Sequence, residues 1–163
     1  MRLLSWNVAG LRAALRKGAL DFTLNGEYDI ICLQETKANR EEVEGLEPFL
    51  EVYPHQYWNS TKGTTQRKGL SGTAIWSKEA AVREIPPPAF DEEGRTTCLE
   101  FERFILLTVY TPNSQMRKSE RARFRAEVWD LAFRSHVREL MQIKPVLVCG
   151  DLNVAHNDID VYH

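Results

Sequence analysis

"VLVCGDLNVAHNDIDVYH" runs from Val146 to His163. An apolar run, Val146 to Cys149, passes through Gly150 and delivers Asp151 and Asn153 where a buried strand should end. Ligands collect where strand ends meet loops, so a carboxylate and an amide at such a tip mark a candidate site.

Working outward, three more apolar runs end the same way. "MRLLSWNVAG" closes on Asn7 and turns at Gly10; "YDIICLQET" closes on Gln34-Glu35; "FILLTVYTPN" closes on Tyr110, Thr111, Pro112 and Asn113. One polar tip only marks where a strand surfaces. Four tips with the same oxygen-rich chemistry favour convergence on one site. The unbroken apolar run of "IICL" suggests a strand buried on both faces. "SGTAIWSK" reads as a further strand, and "RTTCLEFERFILLTVY" as two strands turning around Glu102-Arg103. "LRAALRKGALDFTLNG" reads as a helix stopped by Asn25-Gly26, and "REEVEGLEPFL" as another with Pro48 near its end. From Arg117 to Gln142, apolar residues recur at spacings of three and four: Phe124, Val128, Leu131, then Val137, Leu140, Met141. Mixed strands and helices give an α/β or α+β class with a layered core.

Length and charge restrict the function classes. At 163 residues the chain fits one domain. Lys plus Arg number 21 against 23 Asp plus Glu, which excludes a polyanion binder that works by bulk charge alone. Cys32, Cys98 and Cys149 stand in or beside apolar runs and read as buried reduced thiols. With no signal peptide and no apolar run of membrane-spanning length, the expected location is cytoplasmic, without membrane contact.

The polar tips supply carboxylates (Glu35, Asp151), amides (Asn7, Asn113, Asn153) and a phenol (Tyr110). No His or Cys cluster stands among them. Hard oxygen donors suit Mg²⁺ or Mn²⁺ and suit Zn²⁺ poorly. Metal-assisted attack on a phosphate ester is the implied chemistry. Asp151 can take a proton from the attacking water, Asn153 can hold that water, and Tyr110 can donate to charge developing on phosphate.

"SWNVAGLRA", "IICLQETK", "SGTAIWSK", "DEEGR", "VYTPNSQ" and "GDLNVAHNDID" resemble, in order, the successive motifs of the exonuclease III family of apurinic/apyrimidinic endonucleases. The resemblance spans Leu4 to Asp160 and implies the family's four-layered α/β sandwich, shared with pancreatic-deoxyribonuclease-like enzymes. It implies a metal site of Asn7, Glu35, Asp151 and Asn153, and a catalytic set of Tyr110, Asp151 and Asn153. It places Arg12, Lys37, Gly69 and Asn113 on loops facing the DNA backbone. The implied reaction is divalent-metal-dependent hydrolysis of the phosphodiester 5′ to an abasic site in double-stranded DNA, with 3′-5′ exonuclease activity alongside.

"LQET" and "GD-x-N" also occur in inositol polyphosphate phosphatases and retrotransposon endonucleases, so another metal-dependent phosphodiesterase stays open. So does a catalytically dead fragment that binds nucleic acid or a partner. Ala9 departs from the pattern, because several family members carry Asp or Asn there; this implies fewer direct metal ligands. Leu70 stands where some members have Tyr.

Family members continue beyond the equivalent of His163. The resemblance therefore implies that residues 1–163 are the N-terminal part of a single domain, about the first half of the sandwich. If such a piece built one sheet, that sheet's inner face would lack its cover. At roughly 25 cal/mol per Å², an open face of several hundred Å² forfeits on the order of ten kcal/mol. A complementing chain or self-association over that open face is the corresponding expectation.

Four lesser features complete the reading. "RKSERARFR", Arg117 to Arg125, suits either phosphate contact or a solvated helix face. "DEEGR" suits a turn with Gly94 at a special backbone angle. His156 in "NVAH" suits a loop-shaping role. Among the tryptophans Trp6, Trp76 and Trp129 suit the core, and Trp58 is the candidate for stacking on a base.

Overall fold

The computed structural model describes residues 1–61, 69–114, 119–155 and 157–160. Arg117, Lys118, His156 and His163 lie outside the described residues. Eight strands among those described form two sheets of four. The first contains β1 (Leu3–Asn7), β2 (Ile30–Gln34), β3 (His55–Asn59) and β4 (Thr73–Ser77), in the order β1-β2-β4-β3. The second contains β5 (Arg83–Ile85), β6 (Thr96–Glu100), β7 (Ile105–Tyr110) and β8 (Val146–Asp151), in chain order.

Each sheet has one parallel pair, which positions the site. A parallel pair needs a crossover, and here each crossover includes a helix. α1 (Leu11–Arg16) lies between β1 and β2. A long helix, α3 (Glu120–Phe124) continuing through a π-turn into α4 (Asp130–Met141), lies between β7 and β8. Parallel partners end side by side, so Asn7 is in register with Gln34 and Tyr110 with Asp151.

Side chains alternate across a strand, and β2 uses both faces. Ile31 and Leu33 join Leu11, Leu20, Phe49, Tyr53 and Trp76 on the helix side of the first sheet. Ile30 and Cys32 meet Ile75, Leu99 and Leu106 between the two sheets. Beyond the second sheet Cys98, Ile105 and Leu107 pack under Leu140, with Phe133 and Val137 beside them. Helix, sheet, sheet and helix are the four layers.

This corrects the expectation of an open sheet face. The chain contributes to both sheets, and their inner faces cover each other. The unpaired flanks among the described residues are edges instead, four in all: β1 and β3 in the first sheet, β5 and β8 in the second. Leu147 at the β8 margin is 39% exposed.

Local differences have physical causes. Pro48 opens α2 (Glu47–Val52) rather than closing a helix, because a first-turn proline loses no hydrogen bond. The stretch before it makes only a short 3-10 turn, Arg40–Glu42, closed by reciprocal bonds between Asn39 and Glu42. The long helix buries Arg125 and Trp129 and leaves Phe124, Val128 and Leu131 exposed. The π-turn at Arg125–Trp129 inserts residues out of the 3.6 period, so the spacing in the sequence names the wrong face there. Trp58 packs on Trp76 with ring centroids 6.0 Å apart and joins the core side, which removes it as a free stacking platform. Gly94 does turn with φ 67°.

Two predictions follow from the packing. Gly150 has φ 133°, and a Cβ there would lie 2.0 Å from the Val109 carbonyl oxygen. Gly150→Ala is expected to lower stability by about 3 kcal/mol through backbone strain and overpacking. Gly45→Ala, at φ 78° with open space around it, should cost about 1 kcal/mol. Urea titrations of the two variants would check the contrast.

The three thiols are free. Burial pushes the Cys98 thiol up to about 12. A hydrogen bond between Cys32 and Cys149 raises Cys32 and, outweighing burial, lowers Cys149. Iodoacetamide at about pH 8 should therefore alkylate half-buried Cys149 first and reach Cys98 only on unfolding, as mass spectrometry of timed samples would report.

Candidate active site

The strand tips converge. Asn7, the last residue of β1, donates from Nδ2 to Glu35 Oε1 at 2.9 Å and to Asp151 Oδ2 at 2.8 Å. Its own Oδ1 accepts the Ala9 N–H at 3.0 Å, which fixes the amide so that the NH₂ faces both carboxylates. One side chain thus joins the ends of β1, β2 and β8.

The turns behind these tips are tight. Ala9, Glu35, Lys37, Ser71 and Asn153 all have positive φ, between 48° and 55°. Such backbone is costly for non-glycine residues, at about 1–2 kcal/mol each. It persists here because hydrogen bonds hold it: Gly10 N–H to Glu35 O at 2.8 Å, Lys37 N–H to Ser71 O at 2.9 Å, and Thr111 N–H to Asp151 O at 2.9 Å.

Charge is balanced locally. Lys37 Nζ lies 2.7 Å from Glu35 Oε2. Partial burial pushes the Glu35 carboxyl up, but the bonds from Asn7, Lys37 and the Tyr110 hydroxyl outweigh it and hold Glu35 below the usual carboxylate range. Burial, then the bond to Glu35 and its charge, push the Tyr110 phenol up to about 12. Tyr110 therefore keeps its proton and is a hydrogen-bond donor throughout the neutral range.

Asn153 turns back on its own loop. Its N–H donates to Asp151 Oδ1 at 2.9 Å, and its Nδ2 to the Thr111 carbonyl at 2.7 Å. Beneath the centre, buried Gln34 donates to Thr108 Oγ1 at 2.9 Å and to Ser5 Oγ at 3.2 Å, a polar tie between the sheets.

Arg95 is a residue the sequence reading missed. Its buried guanidinium sits 4.7 Å from the centroid of the Tyr110 ring. It donates to the Tyr110 carbonyl at 3.0 Å and pairs with Glu93 at 2.5 Å. The signal was present in "DEEGR", which was read only as a turn. The arginine that ends the motif points inward beneath the ring.

Arg12, Lys37 and Gly69 line one groove of about 550 Å³ together with Arg16 and Thr36. Arg12 reaches the Lys37 carbonyl at 3.5 Å. Asn113 stands apart from this groove, exposed on the loop after β7. A cavity of about 610 Å³ at the opposite end of the sandwich, around Asp29, Lys78, Phe101 and Phe104, contains none of the candidate residues.

The donor set suits a hard divalent cation. The Glu35 and Asp151 carboxylates meet at the Asn7 NH₂, and among the described residues no group of three His, Cys, Asp or Glu is placed to hold a metal ion. Mg²⁺ is characteristically held by one or two carboxylates, with water and phosphate completing the shell.

Comparison with known proteins agrees with this arrangement. The Endonuclease/Exonuclease/phosphatase family profile matches residues 4–163. The exodeoxyribonuclease of Bacillus subtilis (strain 168) is 47% identical over 165 residues, covering 99% of this chain and 62% of that protein. DNA repair nuclease APEX1 of Danio rerio is 39% identical over 164 residues, covering 99% of this chain and 51% of that protein. The solved structure of an AP endonuclease from Archaeoglobus fulgidus matches the fold with a TM-score of 0.81 at 23% identity, covering 100% of this chain and 62% of that one. The chain spans between about half and 62% of the length of these relatives. With the motifs in order and the family profile matching almost end to end, the chain belongs to the Endonuclease/Exonuclease/phosphatase family.

Proposed function

We propose that this chain carries the metal-binding and phosphate-cleaving centre of a DNA-repair nuclease that cuts the phosphodiester 5′ to abasic sites in double-stranded DNA, with 3′-5′ exonuclease activity. The observation that carries the reading is the Asn7 amide held between Glu35 and Asp151 beside Tyr110. Nucleases of this family are metal-dependent. Mg²⁺ or Mn²⁺ is our assignment from the hard oxygens of Glu35, Asp151 and Asn153; Asn7, whose Oδ1 accepts the Ala9 N–H, supports the carboxylates through its NH₂ and is not itself a ligand in this conformation. Bound there, such an ion would supply Lewis-acid stabilisation of charge on the phosphate.

The chain's own residues do the rest. Asp151 accepts the proton of the attacking water, and Asn153 orients that water. Tyr110, keeping its proton, donates a hydrogen bond to charge developing on phosphate. Asn7 keeps the two carboxylates in place. Arg12, Lys37, Gly69 and Asn113 contact the DNA backbone, the first three from the groove beside α1.

We further propose that residues 1–163 are the N-terminal part of a longer domain. A following segment or a complementing chain would pair on the free edges of β1 and β8. The greater length of the relatives supports this, and the edge strands β1 and β8 lie against each other across the two sheets. Three unpaired thiols support the cytoplasm as the compartment.

An abasic duplex incubated with Mg²⁺ should be nicked on the 5′ side of the lesion, and EDTA should stop the reaction. Glu35→Ala and Asp151→Ala should each slow it by roughly 10²–10⁴-fold. Hydrolysis of inositol phosphates with DNA left intact would reassign the chain to the phosphatases, and metal-independent DNA binding without cleavage would make it a binding module.

Tyr110→Phe should reduce kcat by roughly 10²–10³-fold, the loss typical of one transition-state donor, with KM almost unchanged. Steady-state kinetics on the same duplex separates the two parameters.

A further inference from the structure

The helix that covers the second sheet departs from the α period at one place, the π-turn Arg125–Trp129. π-Turns of this kind recur at functional sites. Here the turn directs the Arg125 side chain inward, where it is buried. Its guanidinium meets three backbone carbonyls. Nη1 donates to Asn153 O at 2.8 Å and to Pro112 O at 3.2 Å, and Nη2 donates to Leu152 O at 2.7 Å. Nε lies 3.7 Å from the Asp130 carboxylate.

The three carbonyls come from two loops. Pro112 follows Tyr110 on the loop after β7, and Leu152 and Asn153 follow Asp151 on the loop after β8. We propose that Arg125 is a positioning residue for the reaction: a single planar cation that holds the Tyr110 loop against the Asp151–Asn153 loop. This rests on the nuclease reading above. Arginine suits the task because its five N–H donors are fixed in one plane and its charge is permanent. Lysine has one nitrogen and cannot span three acceptors in that geometry. The clamp also holds Asn153 at φ 48°, a conformation that needs support from outside the residue. Arg125 faces carbonyl oxygens, not the centre between Glu35 and Asp151, so it acts through the loops.

Two bonds join the loops directly, Thr111 N–H to Asp151 O and Asn153 Nδ2 to Thr111 O. Arg125 bonds the carbonyls of Pro112, Leu152 and Asn153, which adjoin both. Its loss leaves those bonds without backing, and the distance between the Tyr110 hydroxyl and the Asp151 carboxylate becomes variable. Misplacement by about 1 Å in such a constellation is worth on the order of 10²-fold in rate.

The test uses the full chain with Arg125→Lys and Arg125→Ala, and Leu140→Ala as a control in which the same helix is destabilised at a site in the core. Amide hydrogen exchange at Thr111, read by NMR, needs no activity. In Arg125→Ala it should speed up by about tenfold relative to wild type, the factor for one lost hydrogen bond, with the Ile75 amide unchanged. On an abasic duplex with Mg²⁺, Arg125→Ala should lose about 100-fold in kcat with KM nearly constant. Arg125→Lys should fall between, and methylguanidinium should restore part of the Arg125→Ala rate. Leu140→Ala should lower the melting temperature while keeping kcat.

Unchanged exchange at Thr111, or a kcat loss that Leu140→Ala reproduces at equal melting temperature, overturns the clamp. Failure to nick DNA when the chain is supplied with the segment or complementing chain that follows it overturns the nuclease reading instead, and the exchange measurement still decides whether Arg125 holds the two loops.

Discussion

Two carboxylates on different sheets stand close together because the NH₂ group of Asn7 lies between them. Without a donor there, two like charges so near would separate or share a proton. Asn7 supplies an N–H to each, and Lys37 adds a positive charge against Glu35 from the outer side. The interaction is also mechanical. Glu35 follows a strand of the first sheet and Asp151 ends a strand of the second, so the amide ties the sandwich shut at the end where the site lies. Any shift of one sheet against the other would lengthen at least one of these bonds.

That tie works only because the backbone brings the tips to the same level. Each sheet owes this to its parallel pair, in which neighbouring strands end together. Gly150 lets β8 approach β7 where no Cβ would fit, one residue before the carboxylate. Gln34 binds Thr108 and Ser5 across the interior just beneath Glu35, so the polar layer continues inward and every donor on that amide has a partner within reach. Below it the contact between sheets becomes apolar, with Ile30, Ile75, Leu99 and Leu106. Burial there supplies the driving force, while the polar layer above it sets the register of one sheet on the other.

The tips were legible in the sequence because each is local: an apolar run that ends in Asn7, Gln34-Glu35, Tyr110 or Asp151 announces itself within a few residues. The wholly buried β2 was legible for the same reason. What escaped depends on partners far along the chain. β3 reads "HQYWN", polar and aromatic, and becomes a strand because β4 offers it an edge. The closure of the two sheets on each other rests on pairings that no periodicity records, and so the apolar inner face looked uncovered. The face of the long helix was misread because the π-turn changes the period at the point where Arg125 and Trp129 go inside. Arg95 read only as part of a turn and Arg125 as part of a basic stretch, since a buried arginine differs from a solvated one only in what surrounds it.

The site's strain and its hydrogen bonds belong to one arrangement. Five non-glycine residues with positive φ cluster around the strand tips, and four of them are Ala9, Glu35, Lys37 and Asn153, which carry or flank the candidate chemistry. Each such residue costs stability, and the cost is repaid only while its neighbours hold it. Glu35 is held through Asn7, Lys37 and the Gly10 amide, and Asn153 through Thr111, Asp151 and Arg125. The tips are therefore coupled. Loosening one removes part of the support for the others, since Asn7 binds both Glu35 and Asp151. The chain keeps its reactive groups in unfavourable backbone conformations by making each of them part of the restraint on the next, and the same bonds that define the site's geometry stabilise the end of the fold that carries it.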